Sequence, residues 1–262
     1  MRKTSLCYIA ESCGTDKVTH GYTWVYDKYF SSMKDKELTL LEIGIHKGSS
    51  LLMWSRYFNN GKIYGIDDCS GGRMELQNRF PNPTSQNDLM ALSAMGFNVR
   101  SLSQSNRQGL VDAFKDVEFD IIVDDGSHFQ EDQQISLGIL FQYLKPGGYY
   151  VIEDTTIFTK ESMQDRKDWG FERNWGIRDV ENLTDTTLTV CEGYVKNKSL
   201  NSPYMNDQEK KHVEENIESM DIYYPGVHND KWKDTFSWAG DKAVLLGSSA
   251  VVIIKKGNSN AT

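Results

Sequence analysis

The 262-residue sequence predicts a doubly wound α/β fold around a seven-stranded sheet whose last strand is antiparallel to the others. Short apolar runs rich in β-branched residues alternate with segments whose apolar residues recur at helical spacing. The run at residues 121–123 is continuously apolar, as is typical of a strand buried on both faces of a parallel sheet. Asp124 and Asp125 follow it at once. Ligands of such sheets bind beyond the carboxyl ends of the strands, so we expect a site there.

The charge and cysteine content narrow the class of protein. Lysines and arginines number 29 and acids 37, a net charge of −8 that argues against general affinity for nucleic acid or anionic membranes. The four cysteines have no C-x-x-C spacing, so neither a zinc knuckle nor a thioredoxin-type motif is predicted. No apolar run approaches the roughly 18 residues of a transmembrane helix, and the N-terminus lacks the apolar region of a signal peptide. We therefore expect a cytoplasmic protein.

Residues 1–38 are expected to form a helical cap within a single domain that spans residues 1–262. Residues 6–12 suit a short helix, and aromatic residues at helical spacing between positions 20 and 30 predict a second one that packs on the core. Thr15 and Tyr22 lie before or at the start of this second helix, where their side chains can contact a ligand.

The first predicted strand leads into a glycine turn. Residues 40–43 have the pattern of a buried strand and residues 49–58 that of the following helix, with Gly44 and Gly48 between them. A strand, a glycine turn and a helix N-terminus form the usual site of a nucleotide-like ligand.

This turn departs from the phosphate-binding pattern G-x-G-x-x-G, because Ile45 and His46 stand where that pattern needs another glycine. Glu42 lies just before the turn, where a carboxylate repels a pyrophosphate but attracts a cationic ligand. We expect Glu42, Gly44 and Gly48 to contact a cofactor.

The second and third predicted strands end in polar residues. Residues 62–68 predict the second strand, and Asp67 at its end stands where a ribose diol is usually held. Residues 98–103 predict the third strand, and Gln104 and Ser105 after it are positioned to hydrogen-bond an adenine edge. Helices are predicted at residues 88–95 and 108–114.

A fifth strand, at residues 149–154, is predicted to end in Glu153 and Asp154. It follows a helix at residues 130–144 and a sharp turn at residues 145–148.

The last third of the chain has a looser pattern. Residues 155–220 are expected to be an inserted acceptor-binding segment between strands five and six, because so long a connection is usually functional. It could contain helices at residues 179–196 and 207–219. Residues 221–224 and 250–255 predict two closing strands, joined as a hairpin, which makes the last strand antiparallel.

Three of these features resemble the class I S-adenosylmethionine-dependent methyltransferases, whose fold is Rossmann-like. Glu42-x-Gly44-x-x-x-Gly48 resembles the first cofactor motif, Asp67 resembles the ribose acid, and the 145–148 turn is similar to the one before strand five. The resemblance implies S-adenosylmethionine as the cofactor. We expect Asp124 to be directed toward the cofactor or the base instead of a metal ion.

A longer series of motifs carries a narrower resemblance. In chain order they are Gly14-Thr-Asp-Lys17, His20-x-Tyr22, Leu41-Glu-Ile-Gly44, Met53-Trp54, Ile63-Tyr-Gly-Ile-Asp67, Asp124-Asp-Gly-Ser-His128 and Val151-Ile-Glu-Asp154. Together they resemble the sugar O-methyltransferases of macrolide tailoring, of the mycinamicin and macrocin type. That resemblance implies a carbohydrate acceptor, commonly Mg²⁺, His128 as the general base, and Asp125, Glu153 and Asp154 as metal ligands.

The chemistry of a sugar hydroxyl is consistent with these roles. Such a hydroxyl is a poor nucleophile near neutral pH, and a histidine titrates in the range where it can accept the proton. Carboxylates at the ends of adjacent strands, those of Asp125, Glu153 and Asp154, can converge on one hard cation that orients two hydroxyls. His128 lies one short turn beyond Asp125, so both residues are candidates for a catalytic role.

Other interpretations stay open at this point. The acid pairs could instead cap helices that begin after each strand. The acceptor could be a catechol or another small phenol, or the fold could belong to a nicotinamide-dependent oxidoreductase or a non-catalytic binding domain. The pattern leaves open whether a carbohydrate acceptor is a small glycoside, a nucleotide sugar or a glycan, and the oligomeric state as well.

Overall fold

The computed structural model describes residues 4–70, 83–155, 185–225 and 250–258. These residues contain a seven-stranded sheet of order β3-β2-β1-β4-β5-β7-β6. The strands are β1 (Leu38–Ile43), β2 (Gly61–Asp67), β3 (Asn98–Ser101), β4 (Phe119–Asp124), β5 (Leu144–Ile152), β6 (Ile217–Tyr223) and β7 (Val251–Lys256).

The pairing of the strands confirms the predicted fold class. Strands β3, β2, β1, β4 and β5 pair in parallel. Strand β7 is antiparallel to both of its neighbours, β5 and β6. The last strand, β7, is therefore antiparallel to the parallel strands, as predicted from the sequence.

Helices cover both faces of this sheet, which makes the fold doubly wound. One apolar cluster lies between the sheet and four helices: α1 (Ser5–Cys13), α2 (Tyr22–Phe30), α3 (Ser49–Tyr57) and α4 (Gln86–Ala94). The other lies between the sheet and α5 (Arg107–Phe114), α6 (Gln130–Leu140), α7 (Thr187–Asn197) and α8 (Asp207–Asn216).

Local sequence signals account for several helix ends. The Ser85 and Asn206 side chains each form a capping box, at the start of α4 and α8 respectively, by exchanging hydrogen bonds with the acid three residues on. Gly14 ends α1 in the left-handed conformation, which glycine adopts without steric strain.

Three predicted boundaries were wrong. Helix α6 stops at Leu140 and continues as one 3₁₀ turn, and α8 stops at Asn216 because Ile217 already pairs with Lys256 of β7. The sheet ladder therefore overrides helical propensity at that point. Residues 145–148 lie inside β5 instead of before it, as a bulge with Gly147 at φ +77°, while Leu144 already pairs with Phe119.

The domain assignment stays a prediction. Helices α1 and α2 precede β1 and belong to the cluster that covers one sheet face, in line with a helical cap over residues 1–38. Residues 156–184 lie outside the described part of the chain. They hold nearly half of the expected acceptor-binding insertion, residues 155–220, and the first residues of the helix predicted over residues 179–196. Within the described residues that helix, α7, begins only at Thr187.

Within the described ranges, no helix combines the length and the apolar composition needed to cross a membrane.

The turn after β1 generates a first prediction. Gly44 has φ +79°, and a Cβ atom there would lie 2.1 Å from the carbonyl oxygen of Asp125. Gly44→Ala is expected to lower the free energy of unfolding by at least about 3 kcal/mol, because backbone strain and a backbone clash add together. Gly14→Ala should lower the free energy of unfolding by only about 1–2 kcal/mol. Gly14 also has a positive φ, +73°, but the space around it is open, so backbone strain is the only cost. Urea unfolding measures both losses, and equal losses would contradict the close approach of the two turns.

His212 on α8 generates a pH prediction. Burial and the nearby Lys256 lower its pKa below 6.5. The folded protein therefore favours the neutral imidazole. The contribution of His212 to the free energy of unfolding is fully present above pH 6.5 and is lost as the pH falls below this value. The stability advantage of the wild type over His212→Gln should shrink between pH 7.5 and pH 5 in urea unfolding. A difference that does not depend on pH would show that His212 is not responsible.

Candidate active site

Three neighbouring strands bring acidic residues to one edge of the sheet. In the parallel register, Ile43 of β1 pairs with Asp124 of β4, and Asp124 pairs with Ile152 of β5. The backbone ladder continues past the strand ends, since the N–H of Asp125 donates to the carbonyl of Ile43 and the N–H of Glu153 to that of Asp124. The acids that follow β4 and β5 are therefore held beside one another.

A buried lysine lies at the centre of these acids. The Nζ atom of Lys17 lies 2.6 Å from Asp125 Oδ2, 2.8 Å from Glu153 Oε1 and 3.3 Å from Glu42 Oε1. Its side chain is 1% exposed. Lys17 comes from a 3₁₀ turn, Asp16–Val18, that is capped by the hydroxyl of Thr15. The acids of three strands therefore share one counter-ion from the segment before the sheet.

Sequence reasoning missed Lys17 as a functional residue, although it lies in the motif Gly14–Lys17. The signal that could have found it is the number of acids at the strand ends. Buried carboxylates need compensating charge, and a lysine inside a motif is a candidate for it.

The charges in this cluster shift one another's pKa. Burial lowers the pKa of Lys17, but the carboxylates of Asp125, Glu153 and Glu42 outweigh it and raise the pKa well above its ordinary value. Burial and the neighbouring Asp125 raise the pKa of Glu153, against the opposing effects of Lys17 and Tyr26. The ammonium of Lys17 thus stays charged.

Asp154 lies beside this cluster, among two histidines and a tyrosine. The hydroxyl of Tyr22 donates to Asp154, the Nδ1 of His20 lies 3.4 Å from its Oδ1, and the Nε2 of His128 lies 3.6 Å from its Oδ2. Burial lowers the pKa of His20, but the hydrogen bond and charge of Asp154 outweigh it and raise the pKa. Tyr22, a predicted cofactor contact, here positions Asp154.

The geometry also indicates where a cation could bind. Asp125, His128 and Asp154 each offer one ligand atom, and these atoms lie within 4.8 Å of one another. His128 and Asp154 have φ values of +59° and +58°, which non-glycine residues adopt only when their surroundings enforce it. Of the three predicted metal ligands, Asp125 and Asp154 belong to this group. Glu153 instead directs its Oε1 to Lys17 and Tyr26.

Asp124 and Gln104, both predicted cofactor contacts, hold the loop after β4. The fully buried carboxylate of Asp124 accepts hydrogen bonds from Ser136, Gln104 and the N–H of Gly126. Burial raises the pKa of Asp124 to about 7, against these hydrogen bonds. The Gln104 Oε1 accepts from the N–H of Ser127 at 2.7 Å. Both side chains therefore fix the backbone that leads to His128, and their contacts with a cofactor stay predictions.

Asp67 closes the glycine turn from the neighbouring strand. Its Oδ2 accepts hydrogen bonds from the N–H groups of Ile45 and His46 at 3.2 and 3.1 Å, and from the hydroxyl of Thr84 at 2.9 Å. The carboxylate thus connects the end of β2 to the turn after β1. Its predicted role with a ribose is untested by this geometry.

The remaining predicted cofactor residues lie around the same turn. Gly44 and Gly48 both have positive φ, +79° and +82°, and Gly48 caps α3. Glu42 is fully buried and its Oε2 accepts a hydrogen bond from Ser50 at 2.6 Å. Ser105 lies after β3, its hydroxyl 3.1 Å from that of Ser103.

Comparison with known proteins identifies the central part of the chain. Residues 41–155 match the protein family described as "Methyltransferase domain". Demethylmacrocin O-methyltransferase of Streptomyces fradiae is 36% identical over 142 residues, 52% of this chain and 32% of that protein. Mycinamicin VI 2''-O-methyltransferase of Micromonospora griseorubida is 32% identical over 162 residues, 58% of this chain and 36% of that protein. The chain thus matches about a third of the length of these relatives.

The fold has a counterpart among solved structures. A structure described as MycE methyltransferase from the mycinamycin biosynthetic pathway, in complex with Mg, SAH and mycinamycin VI, has a TM-score of 0.62. The match covers 99% of this chain and 56% of that one at 23% sequence identity, so it establishes the shared fold.

The environment of Asp124 generates a prediction. Ser136→Ala removes the hydroxyl that donates to this buried carboxylate, and should lower the free energy of unfolding by about 1.5–3 kcal/mol. Ser55→Ala is the control, since the Ser55 hydroxyl donates only to a carbonyl of its own helix, and should change stability by less than about 0.5 kcal/mol. Urea unfolding decides; a loss no greater than that of the control would contradict the role of Ser136.

Proposed function

We propose that this protein, whose residues 41–155 carry a methyltransferase domain, transfers a methyl group from S-adenosylmethionine to a hydroxyl group of a sugar. The observation that carries the proposal is the cluster of Asp125, His128 and Asp154 beside the glycine turn after β1. This cluster lies at the edge of the sheet where ligands of this fold class bind, which supports the proposal that it supplies a base and cation ligands.

The turn after β1 and its surroundings are the proposed cofactor site. S-adenosylmethionine supplies the methyl group and carries a positive sulfonium. Buried carboxylates near the turn, above all that of Glu42, suit a cationic cofactor better than a pyrophosphate. The proposed contacts are Glu42, Gly44, Gly48, Asp67, Gln104, Ser105, Asp124, Thr15 and Tyr22.

The donor set next to His128 suits a hard divalent cation such as Mg²⁺. Two carboxylates and an imidazole approach within 4.8 Å of one another, and the buried Nδ1 of His128 has no hydrogen-bond partner within the described residues. Asp125 and Asp154 would hold the cation, with Glu153 as the third proposed ligand. When bound, a divalent cation supplies positive charge that orients an acceptor hydroxyl and favours its deprotonated form.

The chain's own residues account for the proton. His128 is the proposed base: its imidazole accepts the proton of the acceptor hydroxyl while the oxygen forms a bond to the methyl carbon. The bond from that carbon to sulfur breaks, which leaves a neutral thioether. Asp154, 3.6 Å from the Nε2 of His128, stabilises the imidazolium, and Asp125, whose ligand atom lies within 4.8 Å of theirs, orients the acceptor.

The carbohydrate acceptor rests on the relatives. Their names describe methylation of macrolide and other glycosides, as in L-olivosyl-oleandolide 3-O-methyltransferase of Streptomyces antibioticus, which is 31% identical over 143 residues. Residues 155–220 are the proposed acceptor-binding segment. Its aromatic and basic residues suit stacking on a sugar and equally suit the packed core of a subdomain, and they lie outside the described part of the chain: Trp169, Phe171, Arg173, Trp175 and Arg178. The cytoplasm is the proposed location.

The test is turnover with a panel of acceptors. Sugars, deoxysugar glycosides, nucleotide sugars and catechols would be incubated with S-adenosylmethionine and Mg²⁺, and the methylated products measured by mass spectrometry. Methylation of a sugar and not of a catechol is expected. Methylation of catechols alone would replace the proposed acceptor class.

His128→Gln tests the base. It should lower kcat by about 10²–10⁴-fold with little change in the affinity for S-adenosylmethionine, because the proton acceptor is lost while the cofactor site is kept. His212→Gln, a histidine change on α8 away from the site, is the matched control and should retain turnover. If His128→Gln turns over like the control, another group accepts the proton.

A further inference from the structure

We propose that Lys17 is a tethered counter-ion of the metal site: its ammonium holds Asp125 and Glu153 together when no divalent cation is bound, and a divalent cation competes with it. This inference rests on the proposed metal site and is independent of the acceptor.

The contacts of the Lys17 ammonium are those of a counter-ion. Its side chain is 1% exposed, and its Nζ contacts oxygens of Asp125 and Glu153 at 2.6 and 2.8 Å and of Glu42 at 3.3 Å. Three carboxyl groups thus face one ammonium. Without the ammonium, this buried group of acids would have no cation within hydrogen-bond distance among the described residues.

Competition follows from the overlap of the two sets of contacts. Asp125 belongs both to the carboxylates around Lys17 and to the group that could hold a cation with His128 and Asp154. Glu153, the other proposed metal ligand, directs its Oε1 to Lys17. Because like charges in a buried site repel strongly, each cation weakens the binding of the other to the shared oxygens.

The fold explains why the counter-ion comes from outside the sheet. Lys17 lies on the 3₁₀ turn Asp16–Val18 between α1 and α2, and the hydroxyl of Tyr26 on α2 donates to Glu153. The helices before β1 therefore supply both a positive charge and a hydrogen-bond donor to acids at the sheet edge. Docking of this segment completes the site.

The experiment compares the full chain and its Lys17→Met variant in EDTA and in Mg²⁺, by thermal unfolding and by calorimetric titration with Mn²⁺. In EDTA the variant should unfold roughly 10 °C lower, because it leaves buried carboxylates without their partner. Mg²⁺ should recover more of the Tm in the variant than in the wild type. Mn²⁺ should bind the variant on the order of tenfold more tightly, since one positive charge has left the site.

Lys256→Met is the matched control. Lys256 is also buried, at 8% exposure, but its ammonium donates to the backbone carbonyls of Phe141, Gln142 and Leu144. Its loss of Tm should be the same in EDTA and in Mg²⁺.

The double variant Lys17→Met with Glu153→Gln keeps the test decisive if the single variant does not fold. Removing one carboxylate together with the lysine should restore stability in EDTA. A Lys17→Met loss that neither Mg²⁺ nor Glu153→Gln relieves would overturn the proposal and assign Lys17 to packing. If the wild type binds no Mn²⁺, the metal site and the competition are wrong, while the double variant still decides whether Lys17 is the counter-ion.

Discussion

Charge neutralisation of buried carboxylates is the constraint on which the rest of this structure depends. Glu42 of β1 and the acids that follow β4 and β5, Asp125 and Glu153, lie around one ammonium at the edge of the sheet. Glu42 and Glu153 are buried, and the side chain of Asp125 is 21% exposed. Each unpaired charge would cost several kcal/mol, so a fold that places them together must also bring a cation to them. Lys17 is that cation, and it ties the segment between α1 and α2 to the three central strands.

The turns around the cluster obey a second constraint, the close approach of backbone to backbone. Gly44 lies against the carbonyl of Asp125, so the turns after β1 and β4 meet without side chains between them. Carboxylates then hold each turn from inside: Asp67 binds the N–H groups of Ile45 and His46, and Asp124 binds Gln104 and Ser136. These internal bonds fix the backbone on which a cofactor and His128 would have to be positioned, which is the preorganisation that transfer of a methyl group needs.

Much of the fold follows from sequence, because strand and helix periodicities are local signals. Such patterns predicted the parallel strands, the acids at the ends of these strands and the reversed last strand. Boundaries at residues 145–148 and at Ile217 do not, since pairing with distant strands decides them. Lys17 was missed because lysines are usually exposed and two of its three acidic partners, Asp125 and Glu153, are more than a hundred residues away. The backbone partners of Gln104 and Asp67 likewise become visible only when the turns are folded together, and the cofactor contacts of both residues stay predictions.

The measurement that tests the account most directly is calorimetric titration of the full chain with S-adenosylmethionine and with NADH, each in Mg²⁺ and in EDTA. Saturable binding of S-adenosylmethionine, without binding of NADH, is the expected result. Absence of S-adenosylmethionine binding in both buffers, or preferential binding of NADH, would contradict the account. The acids around Lys17 would then belong to an α/β protein of different chemistry.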